Sequence, residues 1–289
     1  MSQEPIEQWM QRVADATGPL VEQSPDHRWL LRQSLYTHFQ RLVTLTSLGE
    51  MSGPILDVGA GTGALTLDLA WHASPDTQIK AVDNDPKALA LLHALAMSLG
   101  VSVEIQLGQA STLPAETASQ ALTVARYVFQ HLPQPEIALA EMCRVTQPGG
   151  RVLIIDVDDG VALGEPPESP HLDGLREAIR TLQSRRGGNR RIGRHLYRLM
   201  RDAGLEAIQI ILMPRVRLGL QHGRSADMEL HQIERLLAER DDLIAADLIT
   251  AEAFDLGVTA LRQSFAEDRF ELDADFIAIG RMPSADSPS

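Results

Sequence analysis

Cysteine is all but missing from this 289-residue chain: Cys143 is the only one. That excludes an intrachain disulfide and a thiolate cluster for a metal, and no metal is expected. Cys143 falls in the helical run EIALAEMCRV, which suits a buried structural thiol better than a nucleophile. Long apolar runs are missing too, and none approaches the ~20 residues a membrane-spanning helix needs. The opening MSQEPIEQWMQRV lacks the basic start and apolar stretch of a secretory leader, so a cytoplasmic location without a membrane partner is expected. Positive charge is scarce: 26 Lys and Arg against 39 Asp and Glu leave a net charge of −13. Such a chain is a poor match for a phosphate backbone, and nucleic acid is not an expected partner. The local exception is Arg185, Arg186, Arg190, Arg191 and Arg194 around Gly187 and Gly188. These arginines read either as a solvated loop and helix start or as a contact for an acidic substrate group.

What is present supports a full core. Hydrophobic residues make up 44% of the chain, and its length suits one large domain or a domain with a helical cap. Residues 1–50 read as helices: Asp26 after Pro25 is a candidate N-cap, and Leu30, Leu31, Leu35, Phe39 and Leu42 recur at helical spacing. From residue 55, short apolar runs alternate with helical ones. PILDVGAG, TQIKAVDND, VSVEIQLG, ALTVARYVF and RVLIIDVDD predict five strands, with helices between most of them. Strands joined by helices of this length imply crossovers and a parallel sheet. Beyond Gly160 the alternation breaks: EPPESP is an expected loop, 172–184 and 191–203 are helical, EAIQIILMP is a sixth strand, 226–266 is helical again, and DFIAIGRM is the last strand.

The chemistry concentrates where the first strand ends. Asp57-Val58-Gly59-Ala60-Gly61-Thr62-Gly63 follows a strand and opens a helix, so the glycines let the backbone turn sharply and approach a ligand closely. The next strand ends at Asp83, where a carboxylate can accept from both hydroxyls of a ribose. Gly59, Gly61 and Ala64 also satisfy the dinucleotide pattern G-x-G-x-x-[GA], so the loop alone does not choose the cofactor.

The stretch from about 54 to 160 resembles the class I S-adenosylmethionine (SAM)-dependent methyltransferases. Asp57 two residues before the first glycine, the spacing to Asp83, RYVFQHLP and PGGRVLIID look like that family's successive motifs, closest to its small-molecule branch of ubiquinone and natural-product enzymes. The resemblance implies a Rossmann-like α/β fold: a seven-stranded, mostly parallel sheet with helices on both faces. N-terminal helices (1–50) and helical inserts (161–203 and 226–266) would form a lid, 51–160 the SAM-binding core, 161–282 the completion of the sheet and 283–289 a tail. It implies that Asp57, Gly59, Ala60, Gly61 and Gly63 surround the methionine portion of SAM, that Asp83 and Asn84 lie at the ribose, and that Gln109 and Ala110 lie along the adenine. Gln109 stands where the family commonly has Asp, and Ala121 where it often has Asp.

Ligands in such folds sit beyond the carboxyl ends of the strands. Those ends carry Arg126, Tyr127, Gln130 and His131 after the fourth strand, and Asp156, Asp158 and Asp159 after the fifth. His131, Arg126 and Tyr127 are the candidate catalytic residues: His131 as a base or a substrate-lining residue, Arg126 holding a carboxylate of cofactor or substrate, or else paired with Asp156. Tyr36, His38, Gln130, Asp156 and Asp158 are candidates to line the substrate. The expected activity is methyl transfer to an O, N or C nucleophile of a small, secondary metabolite by a monomer or homodimer. A non-methyl use of SAM that releases methylthioadenosine, and a non-catalytic SAM-binding subunit, stand as alternatives.

Overall fold

The computed structural model describes residues 4–218 and 226–284. Residues 1–3 of the expected N-terminal helical region, and 285–289 of the expected tail, lie outside the described residues. Helices α1 (Ile6–Gln23), α2 (Arg28–Tyr36) and α3 (His38–Ser47) come first, and then the alternation begins: β1 (Ile55–Val58), α4 (Ala64–His72), β2 (Ile79–Asp83), α5 (Pro86–Leu99), β3 (Glu104–Leu107), β4 (Gln120–Arg126), α6 (Pro135–Val145) and β5 (Thr146–Val157). The second half holds β6 (Leu163–Glu165), α7 (Pro170–Arg185), α8 (Leu196–Asp202), β7 (Glu206–Leu218), α9 (Ala226–Ala238), α10 (Arg240–Ala245), α11 (Ala251–Ala266) and β8 (Phe270–Arg281).

The sheet runs β3-β2-β1-β4-β5-β8, with β7 on the far edge of β8 and β6 continuing the β5 side. From β3 to β5 every pairing is parallel, whereas β8 is antiparallel to β5, β6 and β7. The sheet is therefore mostly parallel and Rossmann-like, with eight strands among the described residues. The extra one, β6, overlaps the start of the expected EPPESP loop; its three residues are too short to carry a pattern. Strands β7 and β8 extend beyond the predicted runs because they pair with each other over nearly their whole length, a long-range effect.

Alternation along the strands divides the core. Leu56, Val58, Ile154 and Ala278 face α6 and α8, while Ile55, Leu122, Leu153 and Ile277 face α3 and α4. Helices α1, α2 and α5 pack on the same layer around Trp9, Leu31 and Leu92. The helices α7, α9, α10 and α11 form a core of their own from residues that include Leu175, Ile233, Phe254 and Leu261. No helix among the described residues is long and apolar enough to cross a membrane. At the start of α2, Asp26 is not an N-cap: Pro25–His27 is a 3-10 turn, and Asp26 instead accepts from Lys87 Nζ at 2.9 Å.

Candidate functional site

Because β1 is buried and parallel to both neighbours, it delivers its last residues to the carboxyl edge of the sheet. The chain then turns through Gly59 (φ +72°) and Gly63 (φ +89°), conformations that L side chains rarely adopt. Two loop amides, Gly59 N and Ala60 N, donate to Val82 O at 2.7 and 3.1 Å. Gly61 N donates to Asp83 Oδ2 at 2.7 Å, and Asp85 N donates to Asp83 Oδ1 at 2.9 Å. Each Asp83 oxygen keeps a further lone pair free to accept. Asp85 caps α5 through Lys87 N at 2.8 Å. Asp57 is buried, accepts from Thr66 Oγ1 at 2.6 Å, and is pushed up to about 7 chiefly by burial.

A cavity of about 1090 Å³ begins at this loop. Asp57, Gly59, Ala60, Gly61, Asp83, Asn84, Gln109 and Ala110 line it together, and it continues past Arg126, Tyr127, Gln130 and His131 under the α7–α11 cap. Gly63 stands behind the lining, packed against Leu92. Arg126 is not paired with Asp156. It donates to Thr37 Oγ1 at 3.2 Å and covers the Tyr127 ring at 3.9 Å, because α3 closes over the end of β4. Asp156 is fully buried and outside the lining, where it accepts from Gln130 N at 3.1 Å and Val157 N at 2.8 Å; burial pushes it up to about 7. Asp158 reaches the cavity wall already held by Arg194 at 2.6 Å.

Tyr36 lines the cavity with its ring 5.2 Å from that of His231. His38 does not line it, because it turns inward, where Nε2 lies 2.8 Å from Asp68 Oδ1. Burial and the nearby Arg235 and Arg190 push His131 down to about 4, so it is neutral at pH 7. The Tyr127 hydroxyl donates to Asp275 at 2.8 Å and receives Arg215 Nη1 at 2.8 Å, an arrangement that leaves it no proton to lose near neutrality.

Several cavity residues escaped the sequence reading. Helix α9 brings in His231 and Arg235, four residues apart and so on one face. His231 Nδ1 lies 2.7 Å from Trp29 O, which fixes the proton on Nδ1 and leaves Nε2 as an acceptor; burial holds the ring down at about 4. The i, i+4 spacing was visible in the sequence, but its direction was not. Among the described residues, seven arginines line the cavity. Five of them meet carboxylates: Arg176 with Glu168, Arg180 with Glu177, Arg190 with Asp159, Arg215 with Asp273 and Asp275, and Arg217 with Glu271 and Asp273. Of the arginines around Gly187, only Arg190 reaches the cavity; Arg186 pairs with Glu239 and Arg194 with Asp158.

Residues 55–150 match the family model described as a methyltransferase domain. The chain is 29% identical over 263 residues to an uncharacterized 37.1 kDa protein in transposon TN4556 of Streptomyces fradiae, covering 85% of this chain and 75% of that one. It is 31% identical over 118 residues to a demethylmenaquinone methyltransferase of Lactococcus lactis, covering 40% of this chain and 47% of that one, so the match spans about half of that relative. The fold is also that of phosphoethanolamine N-methyltransferase 2 of Haemonchus contortus, solved with phosphomonomethylethanolamine and S-adenosylhomocysteine. That likeness has a TM-score of 0.53 at 19% identity and covers 85% of this chain and 53% of that one.

Proposed function

We propose that this chain, whose residues 55–150 match a methyltransferase-domain model, is a class I SAM-dependent enzyme that transfers a methyl group from SAM to an O, N or C nucleophile of a small metabolite. The observation that carries the reading is that one cavity joins the glycine loop, Asp57 and Asp83 to a second compartment under the helical cap. Its volume of about 1090 Å³ lies just above the ~300–1,000 Å³ of a site for one drug-sized ligand, which leaves room for an acceptor beside the cofactor.

The residues present suit SAM. Asp57 forms no ion pair with any described residue and faces the cavity, as a site for a cationic amino-acid moiety requires. Asp83 keeps acceptor capacity for two ribose hydroxyls, and Gln109 offers an amide oxygen to an adenine amino group. Arg126, without a carboxylate partner among the described residues, suits the methionine carboxylate. Bound SAM supplies an electrophilic methyl group on a sulfonium. The chain's own work is to orient the acceptor, exclude water and, for a protonated nucleophile, take a proton. His231 Nε2 is the better-placed base: its tautomer is fixed by Trp29 O, whereas His131 Nδ1 is only 3.5 Å from Gln183 Nε2.

The test is mass spectrometry of the purified protein with SAM, with and without small amines, acids and phenols. S-adenosylhomocysteine formed only when an acceptor is added is the expected result. Methylthioadenosine from SAM alone would replace methyl transfer by an internal displacement. No turnover despite SAM binding would point to a non-catalytic SAM-binding subunit.

A further inference from the structure

Of the seven arginines lining the cavity, Arg126 and Arg235 have no carboxylate partner among the described residues. Arg126 still donates to Thr37 and lies over Tyr127. Arg235 makes neither a hydrogen bond nor an ion pair with any described residue, although it is enclosed by α2, α9 and the loop after β4. The nearest acids do not neutralise it, because Asp159 is forked by Arg190 at 2.8 and 3.0 Å and Glu239 is engaged by Arg186 at 2.8 Å. The neighbouring His131, His231 and Tyr36 are neutral at pH 7. Arg190 adds a second positive charge nearby, and together with burial it lowers Arg235 to about 10, which still leaves it a cation at pH 7.

A guanidinium facing a partly enclosed cavity without an anion is open to one, and its planar fork of donors matches two oxygens of one oxyanion. Helix α9 is held in place by contacts that do not involve Arg235. Arg32 on α2 pairs with Glu234 at 3.3 Å, and His231 meets Trp29 O. Arg235 is therefore dispensable to the docking of α9 and points instead into the acceptor compartment. Arg235 is the one cation of this group without a salt-bridge partner among the described residues, and a carboxylate would supply one. The wall beside it is aromatic, with the Trp29 and Tyr36 rings 5.8 and 5.2 Å from that of His231.

We propose that Arg235 anchors a carboxylate of the acceptor, making the substrate class a small aromatic or apolar carboxylic acid with its nucleophile facing the cofactor side. This rests on the methyl-transfer reading for the identity of the compartment, but not for the presence of the anion site. It matches the acidic-substrate option for an arginine, although the arginine comes from α9 and not from the Gly187 group.

Benzoate, benzamide and inorganic phosphate serve as probes, titrated calorimetrically into the full chain with and without S-adenosylhomocysteine. The expected result is that benzoate binds, benzamide binds at least tenfold more weakly, and phosphate binds more weakly than benzoate. Arg235→Gln should weaken benzoate by about 10- to 100-fold, the range for a charged hydrogen-bonded pair, while Arg235→Lys keeps part of the affinity. S-adenosylhomocysteine affinity should stay within about twofold in both variants. Without ligand, Arg235→Gln should melt higher than the parent, since an uncompensated cation is gone; a lower melting point would count against the assignment. Equal binding of benzoate and benzamide, unchanged benzoate affinity in Arg235→Gln, or phosphate binding tighter than benzoate would each overturn it. If S-adenosylhomocysteine fails to bind the parent while the benzoate results hold, the methyltransferase reading falls and the anion site stands.

Discussion

A Cβ placed on Gly63 would lie 2.2 Å from Leu92 Cδ1, whereas at Gly61 the nearest atom, Leu30 Cδ2, is 3.3 Å away across the cavity wall. Both glycines are left-handed, but only Gly63 is also closed off by packing, while Gly61 borders the cavity. Gly63→Leu should cost on the order of 3 kcal/mol from overpacking and left-handed strain together, read by urea denaturation. Gly61→Leu should keep the fold and lower SAM affinity at least tenfold, read by calorimetry; unchanged binding would remove the loop from the cofactor site. Asp57 adds a pH signature. Raised to about 7 by burial, it is largely protonated in the ligand-free protein at pH 6, so binding a cation there must displace a proton. SAM affinity should therefore rise from pH 6 to pH 8 and flatten above. Asp57→Asn should bind more weakly with no such rise, and a rise persisting in that variant would assign it to another group.

Between elements, the N-terminal helices are fastened to the sheet by a buried charge cluster. Asp68 on α4 accepts from Trp9 Nε1 of α1 at 3.0 Å and from Arg41 Nε of α3 at 2.7 Å, with His38 Nε2 at 2.8 Å. The carboxylate balances the buried Arg41, whose Nη1 also reaches Ser34 O and Thr37 Oγ1. The same Thr37 hydroxyl receives Arg126, so the cluster also sets the roof of the cavity. Asp68→Ala leaves Arg41 unpaired and should destabilise the protein by about 3–5 kcal/mol, measured by chemical denaturation. Loss of less than about 1 kcal/mol would mean that the cluster does not hold α1 and α3. None of this was legible in the sequence, where His38 reads as a lid residue. Its partner is 30 positions away, and periodicity shows which residues share a helix face but not what that face meets.

Across the whole molecule, buried titratable groups pull stability in opposite directions. Asp57 and Asp156, both raised to about 7, hold protons in the fold after the unfolded chain has released them near pH 4, so their contribution to stability falls as pH rises from about 4 to 7. His131 and His231, both lowered to about 4, remain neutral in the fold while the unfolded chain takes up protons below about 6.5, so their contribution falls as pH drops from about 6.5 to 4. The two pairs oppose each other across the same window. Asp57→Asn combined with Asp156→Asn removes one side only. Relative to the parent, that variant should gain melting temperature steadily from pH 4.5 to pH 7; a difference independent of pH would show that neither acid titrates in this window. The helical cap belongs to this scale as well, since its own core lies apart from the sheet yet supplies His231 and Arg235 to the cavity.

By itself the sequence determined the β1–loop–α4–β2 unit and the parallel half of the sheet through local spacing, and its family resemblance anticipated Asp57, Gly61, Asp83 and Gln109 on one cavity. Strand period, glycine positions and the Asp85 cap are local, and local signals survive folding unchanged. Tertiary structure decided the rest: the removal of His38 and Asp156 from the cavity, the neutralising of Asp158 by Arg194, the turning of Arg126 toward Thr37, and the arrival of Arg235 opposite His131. Each depends on which residues distant in the chain are packed together. Whether a charge is matched or left for a ligand is settled only when its neighbours from other elements are in place.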